Sequence, residues 1–390
     1  MSPTGEEQAA SRTVLIANPS ADLYGSDRMV LEAVRGLTGL GWRTVVTCSI
    51  DGPLVAQLRT AGAEVRILPV PVVRKSALSG RGMLALTREV FTQLPAMRRL
   101  IKDVRPDVVL ANTVTIPFWT LAARWCRRPV VVYVHEAESA LSRPARTLLT
   151  APLRFANGII FNSETSRRVS GSAWLEKRDR ARVVSNGVQA PAAPSPARES
   201  LDGPMRIVYV GRLSPRKGVD LVVRAAARLR DSGIEPRVEL VGAVFPGYEW
   251  YEEELRGLVA ELDLGDMVSF TGFREVVWDE FAASDVAVVP SRLDESFGNV
   301  VIEALMSERA VVVADHTGLR EAADGFASAV RVVPDDEMAL TEGLRRVHEH
   351  WGDFRGHATA DAERARRLYG TGTFHRRLSS ALAERATAPH

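Results

Sequence analysis

From Thr13 onward, short runs of β-branched and other apolar residues alternate with longer stretches whose apolar positions recur every three or four residues. The first kind reads as a strand buried on both faces and the second as an amphipathic helix. Their alternation predicts parallel sheets covered by helices on both sides. The first half of the chain carries such runs at 13–17, 43–47, 65–68, 107–110, 130–134, 158–161 and 182–184. The alternation breaks over 189–204, where Pro191, Pro194, Pro196 and Gly203 stand among alanines and serines, the composition of an exposed interdomain linker. It restarts with runs at 206–210, 237–241, 267–270, 286–289, 310–313 and 330–333. The expected class is α/β, with two doubly wound, parallel-sheet, Rossmann-like domains facing a cleft. The boundaries expected are a disordered tail over 1–12, a first domain over 13–189, a linker over 190–204 and a second domain over 205–368. Residues 369–390 are expected to form a helix, and analogy with other two-domain folds would have it cross back to the first domain.

A length of 390 residues agrees with two domains. With 46% hydrophobic and 25% charged residues the chain reads as globular, and a net charge of +2 argues against a nucleic-acid binder that depends on a large positive field. Two cysteines, Cys48 and Cys126, in or beside apolar segments fit inert thiols in a reducing cytoplasm. No uninterrupted run of about 18 apolar residues is present, so the chain is not expected to cross a bilayer.

The candidate chemistry gathers at predicted strand ends, where open α/β sheets bind ligands. Asp294-Glu295-Ser296-Phe297-Gly298-Asn299-Val300-Val301-Ile302-Glu303 follows the run 286–289 and sets two carboxylates around a glycine. A helix is expected from about Asn299, which puts Glu295 in the loop, Glu303 about one turn in, and backbone N–H groups between them that can face an anion. Gly211-Arg212-Leu213-Ser214-Pro215-Arg216-Lys217-Gly218 follows the run 206–210; Arg212 and Lys217 can neutralise a diphosphate without a metal, although the segment also reads as a solvated basic turn. It is not a Walker A loop. His135 emerges from the run 130–134 either into the same cleft or as an ordinary loop histidine. Tyr24-Gly25-Ser26-Asp27 follows the first run; Gly25 and Ser26 permit close approach of a substrate, and Asp27 is expected to cap the helix 29–37. Residues 81–105 form a basic amphipathic stretch that either packs on its own domain or rests on an anionic membrane. No Cys/His cluster is present, Asp335-Asp336 read as a surface turn, and metal-independent chemistry without a cofactor is expected.

Together these features resemble the retaining glycosyltransferases of family four, with the GT-B fold. The resemblance rests on Glu295-Ser296-Phe297-Gly298 with Glu303, on Gly211-Arg212-Leu213 with Arg216-Lys217-Gly218, and on Ser185-Asn186-Gly187-Val188. It implies that Glu295, with the N–H groups of Phe297 and Gly298, binds the donor sugar, with Asn299 and Val300 also at the donor, and that Glu303 holds the ribose. Arg212 and Lys217 would stabilise the departing diphosphate beside Gly211, and Thr271-Gly272-Phe273 would lie near the base. His135 would contact the sugar at the reacting centre, and Tyr24, Gly25, Ser26 and Asp27 would form the loop near acceptor and phosphates. Glu295 is then a sugar clamp, because a donor phosphate oxygen is thought to take the acceptor's proton in this family, and the two-carboxylate scheme of glycoside hydrolases is not imposed. Many relatives carry Gly-Gly where this chain has Gly25-Ser26 and Thr317-Gly318, and Pro where it has Ser185.

The function implied is transfer of a hexosyl residue from a UDP- or GDP-sugar to a hydroxyl acceptor, in cell-surface polysaccharide or glycolipid synthesis. A lipid-linked acceptor at the inner face of the membrane is one form this would take. The alternatives are a sugar-nucleotide epimerase of the same fold and a transferase acting on a small natural product.

Overall fold

The computed structural model describes residues 12–23, 25–73, 80–137, 143–170 and 180–387. The expected tail therefore lies outside the described residues except for Arg12, as does Tyr24. The chain divides into two compact units, one reaching Gly187 and including the segment from Thr371, the other Val188–Gly370.

The first unit is built on strands β1 (Thr13–Ala17), β2 (Arg43–Cys48), β3 (Glu64–Ile67), β4 (Val108–Ala111), β5 (Val130–Val134), β6 (Gly158–Phe161) and β7 (Ala181–Val183). They pair in parallel in the order β3-β2-β1-β4-β5-β6-β7. The central strands are buried along their whole length, which is why their sequences are continuous apolar runs rather than alternating ones. One helical layer includes Gly25–Gly39 and Pro53–Thr60, and the opposite layer includes Gly80–Val104 and Phe118–Trp125. The helix Thr371–Ala386 completes the first layer: Phe374, Leu378, Ala381 and Leu382 are buried with Val30, Val34 and Leu37. Gly187 lies so close to Phe374 that a Cβ there would sit 2.7 Å from the phenylalanine's own Cβ.

The second unit contains β8 (Met205–Val210), β9 (Pro236–Val241), β10 (Val268–Gly272), β11 (Val286–Val289), β12 (Ala310–Ala314) and β13 (Ala329–Val332), parallel in the order β10-β9-β8-β11-β12-β13. The segment 190–204, expected as an exposed linker, belongs to this unit. Ala197 is buried in its core, Arg198 grips Asp285 with two bonds of 2.8 and 2.7 Å, and Trp351 donates its indole N–H to the Arg198 carbonyl. Its prolines and alanines make a strap that gives up helix and sheet geometry yet is held by side-chain bonds.

In each sheet the chain runs outward through two neighbouring strands and then returns to the other side of the first, between β1 and β4 and between β8 and β11. Those are the points where an open parallel sheet leaves a crevice at its carboxyl edge.

Candidate functional site

The crevice of the second unit is walled by the loop after β8 and the loop after β11. Across it Lys217 Nζ donates to Glu295 Oε1 at 2.6 Å, both side chains being partly shielded from water. Residues 215–217 form a 3-10 turn, and Gly218, at φ 67°, leads into the helix Val219–Asp231. A Cβ on Gly218 would stand 2.3 Å from the Pro290 carbonyl, so the two loops meet backbone to backbone there.

Arg292 locks these loops together. Its guanidinium makes a two-pronged contact with Asp220 at 2.6 and 2.7 Å, donates to the Pro215 carbonyl at 3.1 Å and reaches Asp335. Its backbone N–H donates to the Arg216 carbonyl at 2.8 Å, while Arg216 donates back to the Asp294 carbonyl. Burial works to raise the Asp220 pKa, but the hydrogen bonds and charge of Arg292 overcome it and hold the carboxyl below its ordinary value. Asp335 therefore ties to this crevice through Arg292, and Asp336 caps the helix Glu337–Glu349 by accepting from the Ala339 N–H.

Glu295 is held by its backbone. Its N–H donates to Thr317 Oγ1 at 3.1 Å, and its carbonyl accepts from the Gly318 N–H at 2.8 Å. His316 bridges the same place, with Nε2 at 2.6 Å from the Ser291 carbonyl and Nδ1 at 2.9 Å from Thr317 Oγ1. Phe297 is buried against Tyr369, edge to face at 5.3 Å, so its ring anchors the loop and leaves only its backbone for a ligand. Gly298 precedes the helix Asn299–Met306, which places Asn299 and Val300 in its first turn and Glu303, half-buried, just beyond.

Gly211 turns the chain out of β8, and its N–H donates to the Val241 carbonyl at 2.9 Å. The Arg212 guanidinium lies over the Phe245 ring at 3.2 Å from the centroid, and the Arg212 carbonyl accepts from the buried Tyr209 hydroxyl. Phe273 follows β10, the edge strand two places from the crevice, and is exposed.

In the first unit, Asn18 ends β1, Asn112 ends β4 and His135 ends β5, and a chain of side-chain hydrogen bonds joins them to the helix that starts at Gly25. His135 Nε2 is 2.9 Å from Asn112 Oδ1; Asn112 Nδ2 donates to Asn18 Oδ1 at 3.0 Å and to the Ser26 carbonyl at 3.2 Å; Asn18 Nδ2 donates to Asp27 Oδ1 at 2.7 Å. Asp27, expected as a helix cap, instead lies within the first turn, buried, and accepts also from Ser20 Oγ at 2.6 Å. Burial raises its pKa, against the hydrogen bonds from Asn18 and Ser20. Burial pushes the His135 pKa down to about 3, so the ring is neutral at pH 7. The neighbouring Glu136 accepts from the Thr113 hydroxyl and from the His135 N–H; burial raises its pKa against those bonds.

The structure thus joins Lys217 to Glu295 at one switch point and His135 to Ser26 and Asp27 at the other. Arg292, Asp220, His316, Asn18 and Asn112 were not anticipated, and Thr317 figured only as a departure from Gly-Gly. Asn18 and Asn112 follow Ala17 and Ala111 at strand ends, the same signal that singled out His135. Among the described residues no group of three or more His, Cys, Asp or Glu gathers as a metal site, and no helix is long and apolar enough to cross a membrane.

Comparison with known proteins bears on both units. Residues 24–190 match the family model described as Glycosyltransferase Family 4, and residues 195–365 match Glycosyl transferases group 1. A D-inositol 3-phosphate glycosyltransferase of Nocardia farcinica is 34% identical over 226 residues, covering 55% of this chain and 47% of that protein. One from Streptosporangium roseum is 28% identical over 377 residues, covering 86% and 83%. Two further proteins of that name are matched over 38% and 42% of their length, so the chain spans less than half of the first curated relatives it matches. The crystal structure of Anabaena Alr3699/HepE in complex with UDP and glucose superposes with a TM-score of 0.78 at 21% identity, covering 95% of this chain and 99% of that one.

Proposed function

We propose that this chain, which belongs to the family 4 type of GT-B glycosyltransferases, transfers a hexosyl residue from a nucleoside-diphosphate sugar to a hydroxyl acceptor with retention of configuration. The observation that carries the reading is the Lys217–Glu295 pair at the β8/β11 switch point. An ammonium has three donors, and Glu295 engages one, so the others are available to diphosphate oxygens while the carboxylate turns to sugar hydroxyls. Arg212 and Lys217 stabilise the charge that grows on the leaving diphosphate. They do so without a metal or other cofactor. Glu303 and the first-turn N–H groups of Asn299 and Val300 take the ribose and phosphate side, and Phe273 lies towards the base. His135, neutral, accepts from a sugar hydroxyl.

UDP is the donor nucleotide favoured by the UDP complex of the Anabaena protein, with GDP retained as the second choice. The acceptor class proposed is a surface-glycan or glycolipid hydroxyl. The test is a panel of UDP- and GDP-sugars scored for binding and for acceptor-dependent nucleotide release, with Glu295→Ala and Lys217→Ala as controls. Failure of every donor to bind would sink the transferase reading, and conversion of the sugar nucleotide without acceptor would replace it with an epimerase.

The lipid side of this reading draws on the helix Gly80–Val104. Met97 and Ile101 are buried in the core, whereas Leu84 is 73% and Phe91 78% exposed, with Arg88, Arg99 and Lys102 also exposed. Arg98 stacks on the exposed Trp125 at 4.0 Å, which extends the same basic and apolar face onto the helix Phe118–Trp125. Contact with an anionic bilayer predicts co-flotation with phosphatidylglycerol vesicles that fades with salt. Absence of co-flotation at low salt would remove the membrane from the proposal.

A further inference from the structure

We infer that Asn18 and Asn112 are positioning residues that fix His135 in the Nε2–H tautomer and so present Nδ1 as a hydrogen-bond acceptor. The deduction starts from two backbone carbonyls, which can only accept. Asn18 faces the Ser20 carbonyl at 2.9 Å, so its amide nitrogen is on that side and its oxygen faces Asn112. The Asn112 group meeting that oxygen must be a donor, and the Ser26 carbonyl at 3.2 Å demands the same nitrogen. Asn112 Oδ1 is thereby turned to His135 Nε2 at 2.9 Å, where only an N–H can meet it. Neither amide can be flipped without setting oxygen against oxygen, because each amide nitrogen faces a main-chain carbonyl.

His135 Nδ1 makes no hydrogen bond among the described residues, and the ring is braced by Tyr133 at 4.1 Å between centroids. The Tyr133 hydroxyl is itself committed to the Val184 carbonyl at 2.8 Å. What the relay leaves uncommitted is one lone pair on an uncharged ring. Such a group accepts from a hydroxyl or an amide and offers nothing to a phosphate or carboxylate oxygen. On the function proposed above, the partner is a sugar hydroxyl. The tautomer itself does not depend on that reading.

The test is a long-range nitrogen–proton correlation spectrum of the full chain labelled with 15N-histidine, the His135 signals being identified by their loss in His135→Gln. The expected result at pH 7 is a neutral ring whose Nε2 carries the proton and whose Nδ1 resonates in the unprotonated range. Asn112→Leu removes the acceptor that meets Nε2 and should let the two tautomers mix. An Nδ1–H tautomer or an imidazolium in the unsubstituted protein at pH 7 would overturn the inference, and proton contacts between the Tyr133 and His135 rings assign the signals should His135→Gln not fold. Because the spectrum is read without ligand, failure of every sugar nucleotide to bind would count against the proposed function and leave this result standing.

Discussion

Gly318 is the residue on which the position of Glu295 turns. A Cβ built there would lie 2.5 Å from the Phe297 nitrogen, 2.5 Å from the Ser296 carbonyl carbon and 2.6 Å from the Glu295 carbonyl oxygen, all main-chain atoms. Ordinary contact needs about 3.5 Å, so Gly318→Ala must push the loop back by about 1 Å. Forcing a methyl into packed surroundings costs typically ~1–3 kcal/mol, or roughly 4–8 °C in melting temperature for a ~2 kcal/mol loss in a unit of this size. The displaced atoms include the carbonyl that accepts from the Gly318 N–H and the backbone that carries Glu295, so donor affinity should fall along with stability. Calorimetric melting and titration with UDP measure the two effects. Gly352, in the helix Trp351–Tyr369 with nothing within 4 Å of where a Cβ would stand, is the control; Ala there should be neutral or stabilising by about 0.5–1 kcal/mol. A Gly318→Ala protein that melts with the unsubstituted one and binds UDP equally well would refute the close-approach argument.

Arg292→Leu removes the clamp between the two loops and leaves Asp220 without its cation, held by the Tyr251 hydroxyl; it should cost about 2 kcal/mol by denaturant unfolding and weaken donor binding. The depressed pKa of His135 means that the unfolded chain binds a proton below about 6.5 that the native chain refuses until about 3. Stability contributed by this group is therefore complete above neutrality and lost as pH falls, by about 2 kcal/mol between pH 7 and 5, and His135→Gln should flatten that slope in unfolding measured across the range. Burial pushes the Cys48 thiol up to about 12, so iodoacetamide should leave it unmodified in native protein at pH 8 and label it after denaturation, as peptide mass spectra would show. Transfer should continue undiminished in excess chelator; activity that vanished there and returned with Mg²⁺ or Mn²⁺ would place a metal in the reaction.

Both parallel sheets were readable because strands buried on two faces must be apolar throughout, as in Val130-Val131-Val132-Tyr133-Val134. The same logic located Glu295, Lys217 and His135, since polar residues that end such runs stand at the sheet's carboxyl edge. What the sequence concealed was partnership. Arg292 meets Asp220 and Asp335 across 72 and 43 positions of chain, and His135 meets Asn112 across 23, and no local pattern encodes those distances. The strap 190–204 misled for a related reason: its prolines correctly exclude helix and sheet, but Arg198 finds a buried partner in Asp285 only in three dimensions.

The helix Thr371–Ala386 has a consequence for how the protein is made. The second unit is contiguous, so its sheet can close as soon as its last residues leave the ribosome. The first unit, although synthesised earlier, lacks Phe374, Leu378 and Leu382 from its core until the final segment emerges. At ordinary elongation rates its unfinished face waits roughly 10–40 s, longer than most small domains take to fold. The unit translated first is thus completed last, and its apolar surface over Val30, Val34 and Leu37 is the part of the nascent chain most in need of a chaperone.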